Sequence, residues 1–336
     1  MRIILDAFGG DNAPLEILRG AQQAVEKDGL SILLTGREEE IRRVAAENNI
    51  SLAGMEIADA PDVISMNDEP RSILKAHKDC SMAEGLRRLA AGEGDAFVSA
   101  GSTGALLMGA TFIVKRIKGI SRPALASLLP SDKEPYLLVD CGANADCRPE
   151  MLLQFAQMGH IYMTHVLGRK DAKIGLLNIG TEEHKGGSLQ LETFALLKES
   201  GLPFIGNVEA RDVPAGAADV IVADGFTGNI LLKTMEGTVS MLLHNLKAIF
   251  KTNLLTKLAA ALVLPHMKGL KSRLNASKYG GAPVIGVQKP VIKAHGNADA
   301  AVIYGALHQA ATFVETGVMD AIRAAVTPAE PAKEEE

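Results

Sequence analysis

Seven short segments join glycine to Asp, Asn, Ser or Thr: DAFGGDNAP from Asp6, SAGSTGA from Ser99, DCGANADC from Asp140, LNIGTEEHKGG from Leu177, IGNVEARD from Ile205, DGFTGN from Asp224 and KAHGNADA from Lys293. Glycine lets a backbone turn sharply and approach a ligand, and a helix that follows points its free N–H groups at the same place. Such loops favour an anion, and phosphate is the commonest candidate.

Each loop also has a purely structural explanation. Asp11 or Ser102 would then serve only as a turn residue and helix N-cap, and for a single loop the two explanations are equally good. Several such loops on one sheet edge favour a ligand site, because ligands of open α/β sheets bind at the carboxyl ends of the strands.

Lysines near these loops are candidate anion ligands. Lys185, beside His184, lies in a glycine-rich polar segment, where a solvated loop lysine is an equal alternative. Lys233 follows Asn229 by about one helical turn. Lys293 interrupts the apolar run PVIKAH, where a buried ammonium needs a partner, and His295 nearby is either a further ligand or a structural histidine.

Motifs of other chemistries are absent. The sequence has no GxGxxG after the first strand, no GxxxxGK[ST], no HExxH and no GxSxG, so no cofactor or catalytic metal is expected. Cys80, Cys141 and Cys147 show no CxxC spacing, which favours packing roles in a reducing cytoplasm. The first residues lack a secretory signal pattern, and no apolar run is long enough to span a membrane.

Alternating short apolar and longer amphipathic segments predict βα units around a largely parallel sheet. The predicted strands are 2–7, 31–34, 55–58, 96–99, 136–140, 173–177, 203–205, 220–223 and 291–294. The predicted helices are 13–27, 37–48, 72–91, 103–117, 149–167, 189–199, 229–250 and 299–316. We expect one α/β/α domain over residues 1–326, a basic amphipathic helical hairpin at 240–280, and a disordered acidic tail at 327–336.

Charge is distributed unevenly along the chain, whose net charge is −5. From Gly237 to Ala298 there are nine lysines and arginines and no Asp or Glu, which indicates an anionic partner. The chain has no Trp and few other aromatic residues to stack on bases, so no nucleic-acid partner is expected.

Within this segment, Leu254, Leu255, Leu258, Leu262 and Val263 follow helical spacing, Pro265 is expected to end the helix, and basic residues including Lys268 and Lys271 follow. An interfacial membrane helix and a dimer interface with a basic rim are both compatible with this pattern, and composition alone slightly favours the second.

The segments DAFGGDNAP, SAGSTGALL, GANADC, LLNIGTEEHKG, FIGNVEARD, DGFTGNILLKT, YGGAPVIGV and VIKAHG resemble, in order and over almost the whole chain, those of the acyl-acyl-carrier-protein:phosphate acyltransferases of bacterial phospholipid synthesis. Departures occur at Phe8, Ser102, Ala210 and Met235, where that family usually has Met, Asn, Gly and Ser.

The resemblance implies a doubly wound α/β/α fold like that of phosphate acetyltransferases and isocitrate-type dehydrogenases. It also implies a homodimer on the inner face of the cell membrane, which reverses the preference above in favour of a membrane helix. The implied partners are acyl carrier protein, inorganic phosphate, the anionic membrane surface and a membrane-bound glycerol-3-phosphate acyltransferase that receives the acyl phosphate.

Roles are then predicted for the loop residues. Phosphate binding is assigned to Gly9, Gly10, Asn12, Ser102, Thr103, Asn178 and Lys185. Catalysis is assigned to Lys185, to His184 as a general acid and to Asn229, and an amide such as Asn178, Asn207 or Asn229 is expected to donate to the carbonyl oxygen. Positioning of those groups is assigned to Asp6, Asp11, Asp140, Asn144, Asn207, Asp224, Lys233, Lys293 and His295. An isocitrate-type dehydrogenase and a noncatalytic membrane scaffold are the alternative functions.

Overall fold

The computed structural model describes residues 1–274 and 279–326, without the side chains of 264–268 and 270–274. Its strands are β1 Arg2–Asp6, β2 Ser31–Gly36, β3 Met55–Asp59, β4 Ala96–Ser99, β5 Ala124–Leu129, β6 Tyr136–Val139, β7 Ile174–Asn178, β8 Phe204–Glu209, β9 Val220–Val222, β10 Ala282–Ile285 and β11 Val291–Lys293. Its α-helices are α1 Leu15–Asp28, α2 Glu38–Glu47, α3 Ser81–Ala90, α4 Thr103–Gly109, α5 Pro149–Leu167, α6 Ser188–Glu199, α7 Gly225–Phe250, α8 Leu254–Leu274, α9 Ala300–Glu315 and α10 Val318–Val326.

The strands form one sheet in the order β3-β2-β1-β4-β11-β10-β5-β6-β9-β7-β8. Neighbouring strands run parallel except around β5 and β10, because β5 is antiparallel to both β10 and β6, and β10 is antiparallel to β11. Two parallel halves therefore meet at a central antiparallel pair. The largely parallel sheet predicted from the sequence is confirmed.

Helices cover both faces of this sheet. Consecutive residues Ile3, Ile4 and Leu5 of β1 are all fully buried, although alternate side chains of a strand point to opposite faces. On one face α1 packs closely on α9, where a side chain at Gly20 would approach Ile303 Cβ within 2.6 Å. This two-sided burial explains why the strands are short continuous apolar runs.

Several element boundaries differ from prediction. The helix expected over 72–91 is divided into a 3-10 helix at Pro70–Leu74 and α3, because Lys75 leaves the helical conformation and Cys80 caps α3 through its sulfur. The helix expected over 103–117 becomes α4 followed by a π-helical segment, Ala110–Lys115. β5, β10 and α10 were not predicted.

Helices α7 and α8 are joined by three residues and contact each other. The prediction that Pro265 ends the helix is wrong, since α8 continues to Leu274. A proline removes one backbone hydrogen bond, but a helix already formed on both sides can continue through it.

The outer part of this helix pair exposes apolar side chains to an unusual degree. The five apolar residues among those predicted to bind membrane are all exposed, at 72% for Leu254, 78% for Leu255, 59% for Leu258, 81% for Leu262 and 37% for Val263. The side chains of Lys268 and Lys271 and the predicted tail at 327–336 lie outside the described residues. Within the described chain, every helix is too short or too polar to cross a membrane.

Candidate active site between the two halves of the sheet

The strand order places the loops after β1, β4 and β11 side by side on one half of the sheet, and those after β6, β9, β7 and β8 side by side on the other. Because three successive antiparallel pairings join β11 to β6 through β10 and β5, the two halves run in opposite directions. Residues of both halves, including Lys293 of β11 and Gly142 after β6, line a crevice over these central strands.

A cavity of about 430 Å³ occupies this crevice. Five residues that the sequence predicted as site residues line it, drawn from four separate elements: Thr103, Asn229, Lys233, Lys293 and His295. Met66, Cys141 and Glu236 also line it and were not predicted as site residues. Met66 reaches the cavity from the loop after β3, Cys141 lies in the loop directly after β6, and Glu236 lies on α7 one turn after Lys233.

Lys293, the last residue of β11, is the most buried cation of the cavity wall, with 8% of its surface exposed. Its ammonium group donates hydrogen bonds to the carbonyl oxygens of Ala100 and Ala294. Burial lowers the pKa of Lys293 to about 8, and the negative charge of Asp6 opposes this effect. Lys293 is thus positively charged near neutral pH and releases its proton in mildly alkaline solution.

Lys233 contributes a second cation from α7. Its Nζ lies 2.8 Å from Glu236 Oε2, and its side chain is 55% exposed. The positive charge of Lys233 lowers the pKa of Lys293, and both side chains line the same cavity. An anion in the cavity would relieve this repulsion.

Asp6 lies beneath the cavity at the end of β1 and is buried. Its carboxylate accepts hydrogen bonds from Ser81 Oγ at 2.7 Å, Ser99 Oγ at 2.6 Å and the backbone N–H of Phe8 at 3.2 Å. Burial raises the pKa of Asp6, and these hydrogen bonds oppose that rise. Asp6 thereby connects the ends of β1 and β4 with the start of α3.

Asp140 organises the other half of the crevice. Its carboxylate accepts five N–H hydrogen bonds, from the backbones of Leu125, Gly142 and Ala143 and from both the backbone and the side chain of Asn144. Burial raises the pKa of Asp140, and these N–H groups oppose the rise. Asn144 also donates to the carbonyl oxygen of Pro123 at 2.8 Å. The hydrogen bonds of Asp140 and Asn144 therefore fix the conformation of the loop after β6.

The loop after β1 is tied to the loop after β11. Asn12 Nδ2 donates to the carbonyl oxygens of Asn297 and Ala298, each at 3.1 Å, and the backbone N–H of exposed Asp11 donates to Gly296 at 2.8 Å. A side chain at Gly10, whose φ is +95°, would meet the Gly296 oxygen at 2.7 Å. At Gly9 a side chain would likewise collide with the loop after β4. Gly9, Gly10, Asp11 and Asn12 therefore hold the loops together, and none of them is among the described residues that line the 430 Å³ cavity.

The N-termini of α4 and α7 are each capped by the side chain of the residue before the helix. Ser102 Oγ accepts from the backbone N–H of Ala105 at 3.4 Å, and Asp224 accepts from both the backbone N–H and the hydroxyl of Thr227. Such caps typically stabilise a helix by about 1 kcal/mol. Thr103, the first residue of α4, still faces the cavity, so the positive end of this helix is directed there.

Lys185, His184 and Asn178 lie on the far side of α7. Asn178 Nδ2 donates to the carbonyl oxygen of Lys185 at 3.0 Å, and Asn207 Nδ2 donates to that of Glu182 at 2.8 Å. His184 is exposed, and neither it nor Lys185 is among the described residues that line the 430 Å³ cavity. The structure does not bring these residues to Thr103 and Asn229 as the sequence predicted.

A second cavity, of about 420 Å³, opens on that far side of α7. Asn178 and Gly186 line it together with Thr227, Ile230 and Leu231 of α7. Each of the two cavities thus uses a different face of the first turns of α7.

All three cysteines are free thiols. Burial raises the pKa of Cys80 to about 11 and that of Cys147 to about 12, and it raises the pKa of Cys141 well above its ordinary value. Cys141 borders the 430 Å³ cavity, but such a thiol carries almost no thiolate near neutral pH, so it is a poor nucleophile.

Solved structures share the whole of this architecture. A phosphotransacetylase from Streptococcus pyogenes matches with a TM-score of 0.61 and 20% identity over 95% of this chain and 94% of that chain. A 4-hydroxythreonine-4-phosphate dehydrogenase from Klebsiella pneumoniae matches with a TM-score of 0.55 and 12% identity over 93% and 99% of the two chains. At such identities the similarity establishes the fold alone. The fold is therefore that of the doubly wound α/β/α enzymes, as predicted.

Sequence comparison narrows this class to one family. Residues 1–321 match the profile of the family described as "Fatty acid synthesis protein". A phosphate acyltransferase from Geobacillus thermodenitrificans is 47% identical over 327 residues, covering 96% of this chain and 98% of that protein. One from Thermoanaerobacterium thermosaccharolyticum is 45% identical over 323 residues, 96% of each chain. The chain belongs to the phosphate acyltransferase family and is an acyltransferase, which confirms the resemblance seen in its sequence.

Proposed function

We propose that this chain transfers a fatty acyl group from the thioester of acyl carrier protein to inorganic phosphate, giving acyl phosphate and free carrier protein. The observation that carries the proposal is the 430 Å³ cavity, where Lys233, Lys293 and the N-terminus of α4 at Thr103 converge beside the side-chain amide of Asn229. The cavity joins cationic groups for phosphate with an amide for a carbonyl oxygen, and membership of the family supports this reading.

Phosphate would bind between the two lysines. The charge of Lys233 and that of Lys293, together with the free N–H groups of α4, complement a doubly charged anion. Lys185 was predicted as the phosphate ligand, but the geometry favours Lys233 and Lys293 for this role. Glu236, which pairs with Lys233 over 2.8 Å, disfavours an anion near its own carboxylate, so phosphate between the two lysines would lie closer to Lys293 and Thr103 than to Lys233.

The reaction needs no acyl-enzyme. A phosphate oxygen attacks the thioester carbonyl carbon, a C–O bond forms, the C–S bond breaks, and the thiolate leaves to become the free thiol. Holding both reactants in contact contributes about 7 to 11 kcal/mol in well-aligned cases. Asn229 would donate to the developing oxyanion, a contribution of about 3 to 4 kcal/mol. His295, which lines the cavity, is better placed than His184 to protonate the leaving sulfur.

The setting of the reaction is part of the proposal. The exposed leucines of α8 would enter the acyl boundary of an anionic membrane, and nearby lysines would contact its headgroups. A homodimer would place two such helices on one surface and strengthen their binding. The enzyme would then work in the cytoplasm on the inner membrane face, receive acidic carrier protein through basic residues, and deliver acyl phosphate to a membrane glycerol-3-phosphate acyltransferase.

The test is release of free thiol from palmitoyl carrier protein with and without inorganic phosphate. We expect release that depends on phosphate and stops in Lys233→Met, whereas Lys118→Met, at an exposed position outside both the cavity and the basic segment, keeps wild-type activity. Thiol release independent of phosphate would refute the proposal. A change in nicotinamide absorbance with hydroxy-acid substrates would instead favour the dehydrogenase alternative.

A further inference from the structure

The 420 Å³ cavity differs in character from the catalytic cavity across α7. The described residues that line it carry no ionisable side chain. Its walls are largely apolar and include Leu177, Ile179, Ile230 and Leu231. A phosphate or a carboxylate would find no countercharge there, so the cavity suits an uncharged apolar group.

The polar side chains of this cavity are mostly occupied within the protein. Asn178 uses its amide nitrogen on the Lys185 carbonyl and its amide oxygen on the Ile179 N–H. Gln190 Oε1 accepts from the Gly187 N–H at 3.1 Å, and the Thr227 hydroxyl donates to Asp224 at 2.7 Å. A ligand would therefore meet few free hydrogen-bonding groups, which favours a saturated chain.

The two cavities lie on opposite sides of α7. Asn229 lines the 430 Å³ cavity, and the next residue, Ile230, lines the apolar one. Ile230 is 51% exposed, so the part of α7 between the two cavities is open to solvent and leaves a path over the helix. A thioester carbonyl beside Asn229 can thus extend its hydrocarbon chain over Ile230 into the apolar cavity.

We propose that the 420 Å³ cavity is the binding site for the hydrocarbon chain of the acyl group, so that α7 separates the reacting thioester from its chain. This inference rests on the proposed function, because it assigns a subsite for the same substrate. The volume is adequate for a long chain, since a cavity of roughly 150 Å³ holds a whole benzene molecule.

If the 420 Å³ cavity holds the hydrocarbon chain, a smaller cavity should change the preference of the enzyme for acyl chain length. Ala210 lies exposed at the rim of the cavity on the β8 side, and Thr234 lies exposed on the α7 side, so a larger side chain at either fills the cavity without entering the core. Ala210→Trp and Thr234→Phe are the two test variants. Ala215→Trp, at an exposed position of the same loop region outside the lining, is the matched control.

Phosphate-dependent thiol release is measured with palmitoyl and butyryl carrier protein. We expect the kcat/KM for palmitoyl carrier protein to fall about tenfold or more in both test variants. Each methylene group that no longer fits into a hydrophobic pocket lowers kcat/KM by a factor of this order. Activity with butyryl should stay at the wild-type level, and Ala215→Trp should match wild type with both substrates.

Three results would overturn the inference. Equal losses for both chain lengths, or none for either, would show that the cavity does not hold the chain. A loss at both lengths with a lower sedimentation coefficient would assign the cavity to a contact between copies of the chain. Failure of wild type itself to release thiol with any chain length would instead refute the proposed function.

Discussion

The ammonium group of Lys293 donates a hydrogen bond to the carbonyl oxygen of Ala100 over 3.0 Å. This bond links the end of β11 to the loop after β4, at the wall of the 430 Å³ cavity. A second bond to the carbonyl of Ala294 uses another of the three ammonium protons. A bound anion can accept the remaining one, so the cavity is prepared for a negative charge before any ligand arrives.

Phosphate binding should weaken as Lys293 loses its proton. Its pKa is lowered by burial to about 8, so the KM for phosphate of the wild type should rise as pH increases through 8. Lys293→Met should raise that KM by about tenfold, the value of one charge-assisted hydrogen bond, and should flatten the profile. Steady-state kinetics on either side of pH 8 make the comparison. Lys289→Met, at an exposed position before β11, should retain the wild-type profile, and a shared flattening would contradict this role.

The same titration affects stability in a defined direction. The folded protein releases the Lys293 proton near pH 8, whereas an unfolded chain keeps it up to the ordinary lysine pKa of 10.5. The unfolded state therefore binds more protons between these values, and the free energy of unfolding gains from this group as pH rises. Urea unfolding should show that Lys293→Met lacks this gain. A parallel pH dependence in wild type and variant would show that Lys293 is charged to higher pH.

Replacement of Asp140 should destabilise the fold. In Asp140→Asn the new amide group cannot accept all five N–H hydrogen bonds, and buried donors are left unsatisfied. We expect a loss of roughly 2 to 4 kcal/mol in the free energy of unfolding by urea. Asp146→Asn, exposed in the same loop, should stay within about 0.5 kcal/mol of wild type. Equal stability of the two variants would contradict the role given to Asp140.

The sequence predicted the parallel strands because each is a continuous apolar run followed by a helix. β5 and β10 were missed since neither is followed by a helix in a βα unit, and the antiparallel pairing between the two is distant in sequence. The divided helix at 70–90 was also missed, because helical periodicity persists where Lys75 leaves the helix and His77 binds Asp62 at 2.7 Å.

For the site, the residues directly after strands were the informative ones. Thr103 and Lys293 meet in one cavity because β4 and β11 are neighbouring strands, and Asn229 joins them from the first turns of α7, which border the same cavity. Lys185 lies elsewhere because its loop folds back on Asn178, a contact that depends on loop conformation and has no sequence pattern. Met66 reaches the cavity from a loop whose course is set by tertiary packing.

Removal of the Asn229 amide should reduce turnover more than binding. An oxyanion donor acts in the transition state, so Asn229→Ala should lower kcat by roughly 100 to 1,000-fold with little change in the KM for phosphate. Asn245→Ala, which removes the same side chain from an exposed position farther along α7, should keep full activity. Steady-state thiol release separates the two parameters. A rise in KM with unchanged kcat would assign Asn229 to substrate binding instead.

The exposed leucines of α8 should carry membrane attachment. Leu258 is 59% exposed, and burial of a leucine in the acyl boundary contributes about 1.5 to 3 kcal/mol, or about tenfold or more in affinity. Leu258→Glu should therefore reduce flotation with vesicles of anionic lipid by at least that factor and leave thiol release in solution unchanged. Leu191→Glu, at a 41% exposed position on α6, is the matched control and should float like wild type. If Leu258→Glu also floated like wild type, the leucines of α8 would have to be assigned to a contact between copies of the chain.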